Sequence, residues 1–377
     1  MNFLFVIGIF LAFFLQFLLL TKKNKSLSDK ILAVWMFFIG AHLFSYYIYN
    51  LGYWEKYPHL IGIHHPIPLV HGPLLYLYTL FSLRKNQKLS WKDYLHFSPA
   101  LIAYLYNFKF YFFYSIERKI QVNHGEVDDF SEFMTVSLIA FILSGFIYPI
   151  ISYRLLGKHK RMINQNFSYN ENINLDWLKY CIWGIGIIYL TVALISLVRE
   201  GIGIDFGFNA DLIIYSMLIA FIFFLGYFGI RQQGIFTENV NENIQIAEPK
   251  PPGEYKKSGL KQDEAEVIHK KLLSKMKKEK PFIEPKLTLN ILANKMDISI
   301  NHLSQIVNQF EGKNFYDFIN EYRVEEFKEK ISNPKNKNFS ILALALDSGF
   351  NSKSSFNHVF KKHTGKTPSQ YMGEVKN

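Results

Sequence analysis

Seven apolar stretches of about twenty residues each fill the first 230 residues of the chain, near 2–20, 31–49, 61–83, 94–113, 133–155, 177–198 and 211–230. Twenty helical residues at about 1.5 Å each cover a hydrocarbon core of roughly 30 Å. The pattern therefore predicts a polytopic, all-α bundle of seven membrane helices and argues against the buried helices of a soluble core. The first stretch, NFLFVIGIFLAFFLQFLLL, lacks a basic leader and a small-residue cleavage site, and TKKNK follows at once, so it reads as a retained span. A mean hydropathy of +0.05 hides all this by averaging an apolar part with a polar one. A single cysteine excludes a disulfide-stapled module, and 49% hydrophobic residues exclude disorder of the whole chain.

Basic residues orient the bundle. The loops at 21–30, 84–92 and 153–175 hold twelve Lys and Arg, whereas the alternate loops hold five, namely Lys56, Lys109, Arg118, Lys119 and Arg199. Positive charge marks the cytoplasmic side, which puts the N-terminus outside and the C-terminus in the cytoplasm.

The third stretch, IGIHHPIPLVHGPLLYLYTL, crowds Pro66, Pro68 and Pro73 with His64, His65 and His71 into its outward half. Broken backbone at membrane depth is tolerated where protein or a watery cavity covers it, and ionisable groups there are functional candidates. One reading is an outward-facing ligand pocket built from His64, His65 and His71, with Asp211 at the outer end of the seventh span and His59 nearby. The other is a kinked helix whose histidines serve neighbouring helices. Two adjacent histidines and a third at i+7 do not reproduce H-E-x-x-H, so no metal site is assigned. Cys181 reads as a small buried apolar residue.

From 231 to 261 the composition turns abruptly polar and includes PKPPG, which predicts a flexible cytoplasmic linker between a domain at 1–230 and another at 262–377. Residues 256–377 carry 22 Lys and Arg against 14 Asp and Glu, most of the chain's excess of +11. Such charge suits nucleic acid or an anionic membrane equally.

An internal repeat separates the two. Leu292-Ala293-x-x-x-Asp297-Ile298 returns as Leu344-Ala345-x-x-x-Gly349-Phe350, and Leu303-x-x-Ile306-Val307-x-x-Phe310 returns as Phe356-x-x-Val359-Phe360-x-x-His363, with one residue added in the turn. Each copy reads as helix, sharp turn, helix, over about 288–310 and 340–363. Thr288, Ser299, Ser340 and Ser352 are helix caps, and Asp297 and Gly349 are the turn residues. A linker helix over about 315–332 carries one long apolar stripe through Phe315, Phe318, Ile319, Tyr322, Val324 and Phe327. The second helix of each copy is expected to leave a polar face outside: Asn301, His302, Ser304, Gln305, Asn308 and Gln309 in the first, and Lys353, Ser354, Asn357, His358, Lys361 and Lys362 in the second. Asn and Gln can pair with adenine, and Lys reaches guanine or phosphate. Two such helices can enter the major groove about 34 Å apart, one turn of duplex. The bland alternative, a solvated face, is weakened by the tandem copies and the basic excess.

Residues 261–371, and LALDSGFNSKSSFNHVFKKHTGKTPSQY above all, resemble the DNA-binding domain of the AraC family of bacterial transcription regulators. The resemblance implies a soluble seven-helix domain with two helix-turn-helix motifs. It implies DNA contact at Asn301, Ser304 and Gln305 in one helix and at Lys353, Ser354, Asn357 and His358 in the other. His358 stands where the family often has arginine, and Met372 likewise. Seven spans followed by this domain resemble membrane-embedded family members of the Bacteroidetes group, whose third span is similar to HGPLLYLYT. The implied protein is a one-component regulator of the bacterial inner membrane, with promoter DNA, the lipid bilayer, RNA polymerase, a second copy and an unknown signal ligand as partners, and no cofactor. Two alternatives are a transporter-like protein and a metal-dependent membrane hydrolase, each with a regulatory DNA-binding tail. No carboxylate base, G-x-S-x-G elbow or phosphate loop accompanies the histidines, so no catalytic residue is assigned.

Overall fold

Leu, Phe and Ile in long runs sustain long helices, and proline or a self-bonding polar residue cuts them short. The computed structural model describes residues 2–83, 88–170, 175–231 and 261–376. Among them the structure is all-α, with one isolated bridge between Phe167 and Thr288. The chain forms two compact units, Met1–Leu156 with Leu175–Glu238, and Gly157–Asn174 with Asn239–Asn377.

In the first unit α1 (Asn2–Thr21) turns into α2 (Leu27–Asn50) through a reciprocal cap. Asp29 N donates to Ser26 Oγ at 3.1 Å, and Ser26 N donates to the Asp29 carboxylate at 2.8 Å. Then come α3 (Tyr53–Lys56), α4 (Pro68–Leu83) and four short helices, α5 (Trp91–Tyr94), α6 (Ser98–Tyr106), α7 (Phe108–Phe113) and α8 (Ile116–Asn123). Three long ones follow, α9 (Ser131–Asn166), α10 (Asp176–Ser196) and α11 (Asp211–Arg231).

Among the described residues five helices are long and apolar enough to cross a membrane: α1, α2, α9, α10 and α11. The stretches at 61–83 and 94–113 are not single long helices. Residues 61–67 make successive turns ahead of Pro68, and the 16 residues of α4 rise about 24 Å. The other stretch divides at Asn107, whose side chain donates to the Ala103 carbonyl at 2.8 Å. Of the linker expected over 231–261, residues 232–260 lie outside the described residues, as do Arg84 and Lys85 of the basic loop. Small residues let helices meet: a Cβ on Gly72 would strike Ser144 and Tyr148 of α9, and one on Gly145 would strike Tyr189 of α10.

In the second unit α12 (Gln262–Glu279) has Asp263 and Glu264 in its first turn and Lys277 and Lys278 in its last, as the helix dipole favours. Lys280 leaves it in the left-handed region, at φ 47°. Glu326, nearly buried, accepts from Lys280 Nζ at 2.6 Å and raises the pKa of that ammonium. Six helices follow: α13 (Leu289–Met296), α14 (Ile300–Glu311), α15 (Phe315–Ser332), α16 (Ile341–Asp347), α17 (Lys353–Thr364) and α18 (Pro368–Lys376). Thr288, Ser299, Ser340 and Ser352 cap α13, α14, α16 and α17, each accepting a backbone N–H at 3.1–3.2 Å.

Two cores result. One joins Leu272, Leu292, Leu303, Ile306 and Phe318, and the other joins Val324, Phe327, Leu344, Phe356 and Phe360. Helix α15 enters both. Its apolar residues do not form the single stripe expected: Phe315, Phe318 and Ile319 serve the first core, and Tyr316, Val324 and Phe327 serve the second. Between them Asn320 and Arg323 are buried as well.

Candidate nucleic-acid interface

The two repeat copies share a plan and differ at the turn. In the first, Asp297 sits in the left-handed region (φ 56°, ψ 45°) and α14 begins three residues later, at Ile300, directly after the Ser299 cap. In the second, Gly349 takes φ 97°, and a Cβ there would run into the Phe282 carbonyl and lie 2.9 Å from Ile283 Cα. The extra residue leaves Asn351 between this turn and the Ser352 cap.

Helix α17 buries Phe356, Val359 and Phe360 and exposes Lys353, Ser354, Asn357, His358, Lys361 and Lys362. Lys353, Asn357 and Lys361 follow at i, i+4, i+8, and Ser354, His358 and Lys362 do the same, so two neighbouring ridges carry the polar groups. Lys362 pairs with Asp317 at 2.6 Å; Lys353 and Lys361 make no ion pair among the described residues. This face presents two uncommitted cations, an amide and an imidazole to solvent.

Helix α14 departs from the sequence reading. Asn301 and Gln309 are exposed and His302 and Asn308 half-buried, but Ser304 and Gln305 are buried, at 4% and 5% exposure. The reason is local polar bonding beside a neighbouring helix. Asn308 Nδ2 donates to the Ser304 carbonyl at 2.7 Å. Gln305 Nε2 donates to Gln309 at 3.4 Å, and Gln309 Nε2 donates to Gln262, at the start of α12, at 3.1 Å. Further along α12, His269 stacks on Phe310 and bonds Glu311 at 2.6 Å. Gln305 Oε1 is left buried without a hydrogen-bond partner among the described residues, an acceptor with capacity to spare.

In the first unit, the residues singled out in the third stretch do meet. His64, His65, His71 and Asp211 line one cavity of about 460 Å³, together with His42, Arg199, Tyr215 and a wall of Leu, Ile, Val and Phe. A polar chain runs along it: Trp35 Nε1 donates to His71 Nδ1 at 3.3 Å, His71 Nε2 meets His42 Nδ1 at 3.5 Å, and His42 Nε2 meets the Tyr215 hydroxyl at 3.3 Å. Arg199 pairs with Asp211 at 3.3 Å. The buried His64 Nδ1 has no hydrogen-bond partner among the described residues. His59 is not part of the lining and lies edge-on to Tyr57. His42 and Tyr215 carry no motif that marks them in the sequence: each stands among mostly apolar residues of a long helix. Among the described residues no group of three His, Cys, Asp or Glu has a metal-holding arrangement.

Comparison with known proteins bears on the second unit. Residues 292–374 match the model of a helix-turn-helix domain. The probable transcription factor PqrA of Proteus vulgaris is 32% identical over 85 residues, 22% of this chain and 67% of that protein. An uncharacterized HTH-type transcriptional regulator of Staphylococcus aureus is 34% identical over 88 residues, 23% of this chain and 11% of that one. The Msm operon regulatory protein of Streptococcus mutans is 28% identical over 91 residues, 24% of this chain and 32% of that one. Among solved structures, a protein of unknown function from Listeria innocua is 32% identical, over 28% of this chain and 95% of that one, with a TM-score of 0.25. The chain belongs to the helix-turn-helix transcription regulators. Two of these three named relatives are matched over less than a third of their length, and the helix-turn-helix match falls in the second unit.

Proposed function

We propose that the protein is a membrane-embedded, one-component regulator of the AraC type. Its two recognition helices, α14 and α17, read successive major-groove segments of promoter DNA, where the protein meets RNA polymerase. The observation that carries this is the ridge of Lys353, Asn357 and Lys361, exposed and, among the described residues, free of ion pairs, on a helix-turn-helix scaffold whose described chain also supplies five apolar helices of membrane-spanning length. Asn301, His302, Asn308, Ser354, His358 and Lys362 flank the contact. Ser304 and Gln305 join it once the amide chain to Gln262 opens.

The first unit is the sensor. With the two stretches at 61–83 and 94–113 as a further pair of crossings, the number of spans is seven; without them it is five. Both are odd, and both place the C-terminal unit opposite the N-terminus, on the side that the basic loops mark as cytoplasmic. The cavity at His64, His65, His71 and Asp211 is the proposed ligand pocket, with the unpartnered His64 Nδ1 as a group awaiting a bond. The protein acts as a monomer or as a homodimer on paired sites.

The test is duplex binding by the full chain in lipid nanodiscs. Affinity should fall steeply with salt as phosphate contacts release counterions, and Lys353→Ala should weaken it. Salt-independent binding, or an unchanged affinity in Lys353→Ala with Asn357→Ala, would refute the DNA-reading face.

A further inference from the structure

A stretch of chain that plays no part in either site is built into the helix-turn-helix unit. Gly157–Asn174, the last turns of α9 and the chain that follows them toward α10, belongs to the second compact unit. Asn166, the last residue of α9, and Phe167 and Ser168 just beyond it are 2%, 3% and 1% exposed, unusual where a helix gives way to a loop. Phe167 forms a bridge with Thr288, the residue that caps α13. Ser168 donates to the Leu287 carbonyl twice, from N at 3.2 Å and from Oγ at 2.8 Å.

Arg323 ties this segment to the rest. It is 1% exposed, in the middle of α15. Nη1 donates to the Ser168 carbonyl and Nη2 to Ser168 Oγ, both at 2.9 Å. The same guanidinium donates from Nε to the Phe282 carbonyl at 2.8 Å and from Nη2 to the Glu284 carbonyl at 2.9 Å. Asn320 adds a bond to the Ser168 carbonyl at 3.0 Å. A buried guanidinium that loses acceptors is costly, so this geometry holds only while Ser168 is in place. Gly349, the turn of the second motif, packs against the same Phe282 carbonyl, and a Cβ there would lie 3.0 Å from Arg323 Nε. The segment thus touches the entry of the first motif directly and the turn of the second through a single arginine.

We propose that residues 166–169 are an input strap. The surface formed by Leu287, Thr288, Asn320 and Arg323 is a docking site for this part of the chain, and it makes the spacing of the two recognition helices answer to α9. The role in spacing rests on the two-helix reading of DNA above; the docking does not.

Both parts are testable on the full chain in nanodiscs. In a Cys181→Ser background, Phe167→Cys with Thr288→Cys places two thiols across an antiparallel pair, where α-carbons lie about 4.5–5.5 Å apart and a disulfide can close. After cleavage at a protease site engineered into 232–260, the two fragments should stay joined until reduced. Phe167→Ala with Ser168→Gly should release the strap. For a duplex selected by the wild-type chain, affinity should drop about tenfold, while a duplex holding only one recognition segment should change less than twofold; Phe167→Ala alone should show about a third of the loss on the same duplex. Fragments that separate without reduction overturn the docking. Equal losses on both duplexes, or none, overturn the role in spacing. If the wild-type chain selects no duplex, the DNA reading falls, and the cysteine link alone decides the strap.

Discussion

The two helix-turn-helix copies descend from one sequence pattern and have come to differ in what they leave free. The first holds its polar face within the domain: Gln305 and Gln309 are chained to Gln262, and Ser304 is buried. The second presents Lys353, Asn357 and Lys361 to solvent. Their turns differ in the opposite sense. Asp297 adopts a left-handed conformation that glycine would take more easily, whereas Gly349 is pressed against backbone that tolerates nothing larger. One copy is constrained at its face and accepts a side chain at its turn; the other is closed to any side chain at its turn and open at its face.

The largest effect should come from the constrained turn. Gly349→Ala adds a Cβ against the Phe282 carbonyl at φ 97° and should cost about 3 kcal/mol, through left-handed strain plus the clash. Faster hydrogen exchange in α16 and α17 of the full chain would register it, and unchanged protection would break the contrast between the turns. Next comes the open face. Lys353→Ala with Lys361→Ala should lower duplex affinity about thirtyfold and reduce the slope of log affinity against log salt by about 2, one phosphate contact per lysine. An unaltered slope would mean that neither lysine meets phosphate.

The held face should respond more weakly. Gln262→Ala frees Gln309, the partner of Gln305, and affinity for a selected duplex should rise about twofold to threefold, as binding no longer breaks that side-chain hydrogen bond. A fall instead would show that the amide chain orders the face for reading. Smallest is Asp297→Gly, which should stabilise the unit by about 0.5 kcal/mol by removing a left-handed non-glycine residue, with its entropy cost offsetting the rest. Denaturant titration followed by pulse proteolysis would measure it, and a loss above about 1 kcal/mol would contradict a turn that merely accepts its side chain.

What the sequence discloses is local. Apolar runs, serine and threonine caps, and a repeat displaced by 52 or 53 residues all act within a few turns of helix, so α13, α14, α16 and α17 are legible to within a residue or two. Two kinds of information are not. The burial of Ser304 and Gln305 depends on how glutamine side chains choose partners, and Gln262 lies outside any motif. The Arg323–Ser168 contact joins positions 155 residues apart, and an arginine in EYRVEEF looks like any exposed helical charge. The cavity was half legible: dense prolines and histidines drew attention to His64, His65 and His71, while His42 and Tyr215 had only their polarity to announce them.

The same 155-residue interval sets an order in time. At about 5–20 residues per second of synthesis, roughly 8–30 s separate the emergence of Ser168 from that of its arginine. During that interval α10 and α11, which precede Arg323 in the chain, are already made. The helix-turn-helix unit closes around a segment laid down long before it, so it can complete its fold only on a chain whose hydrophobic helices have all been synthesised.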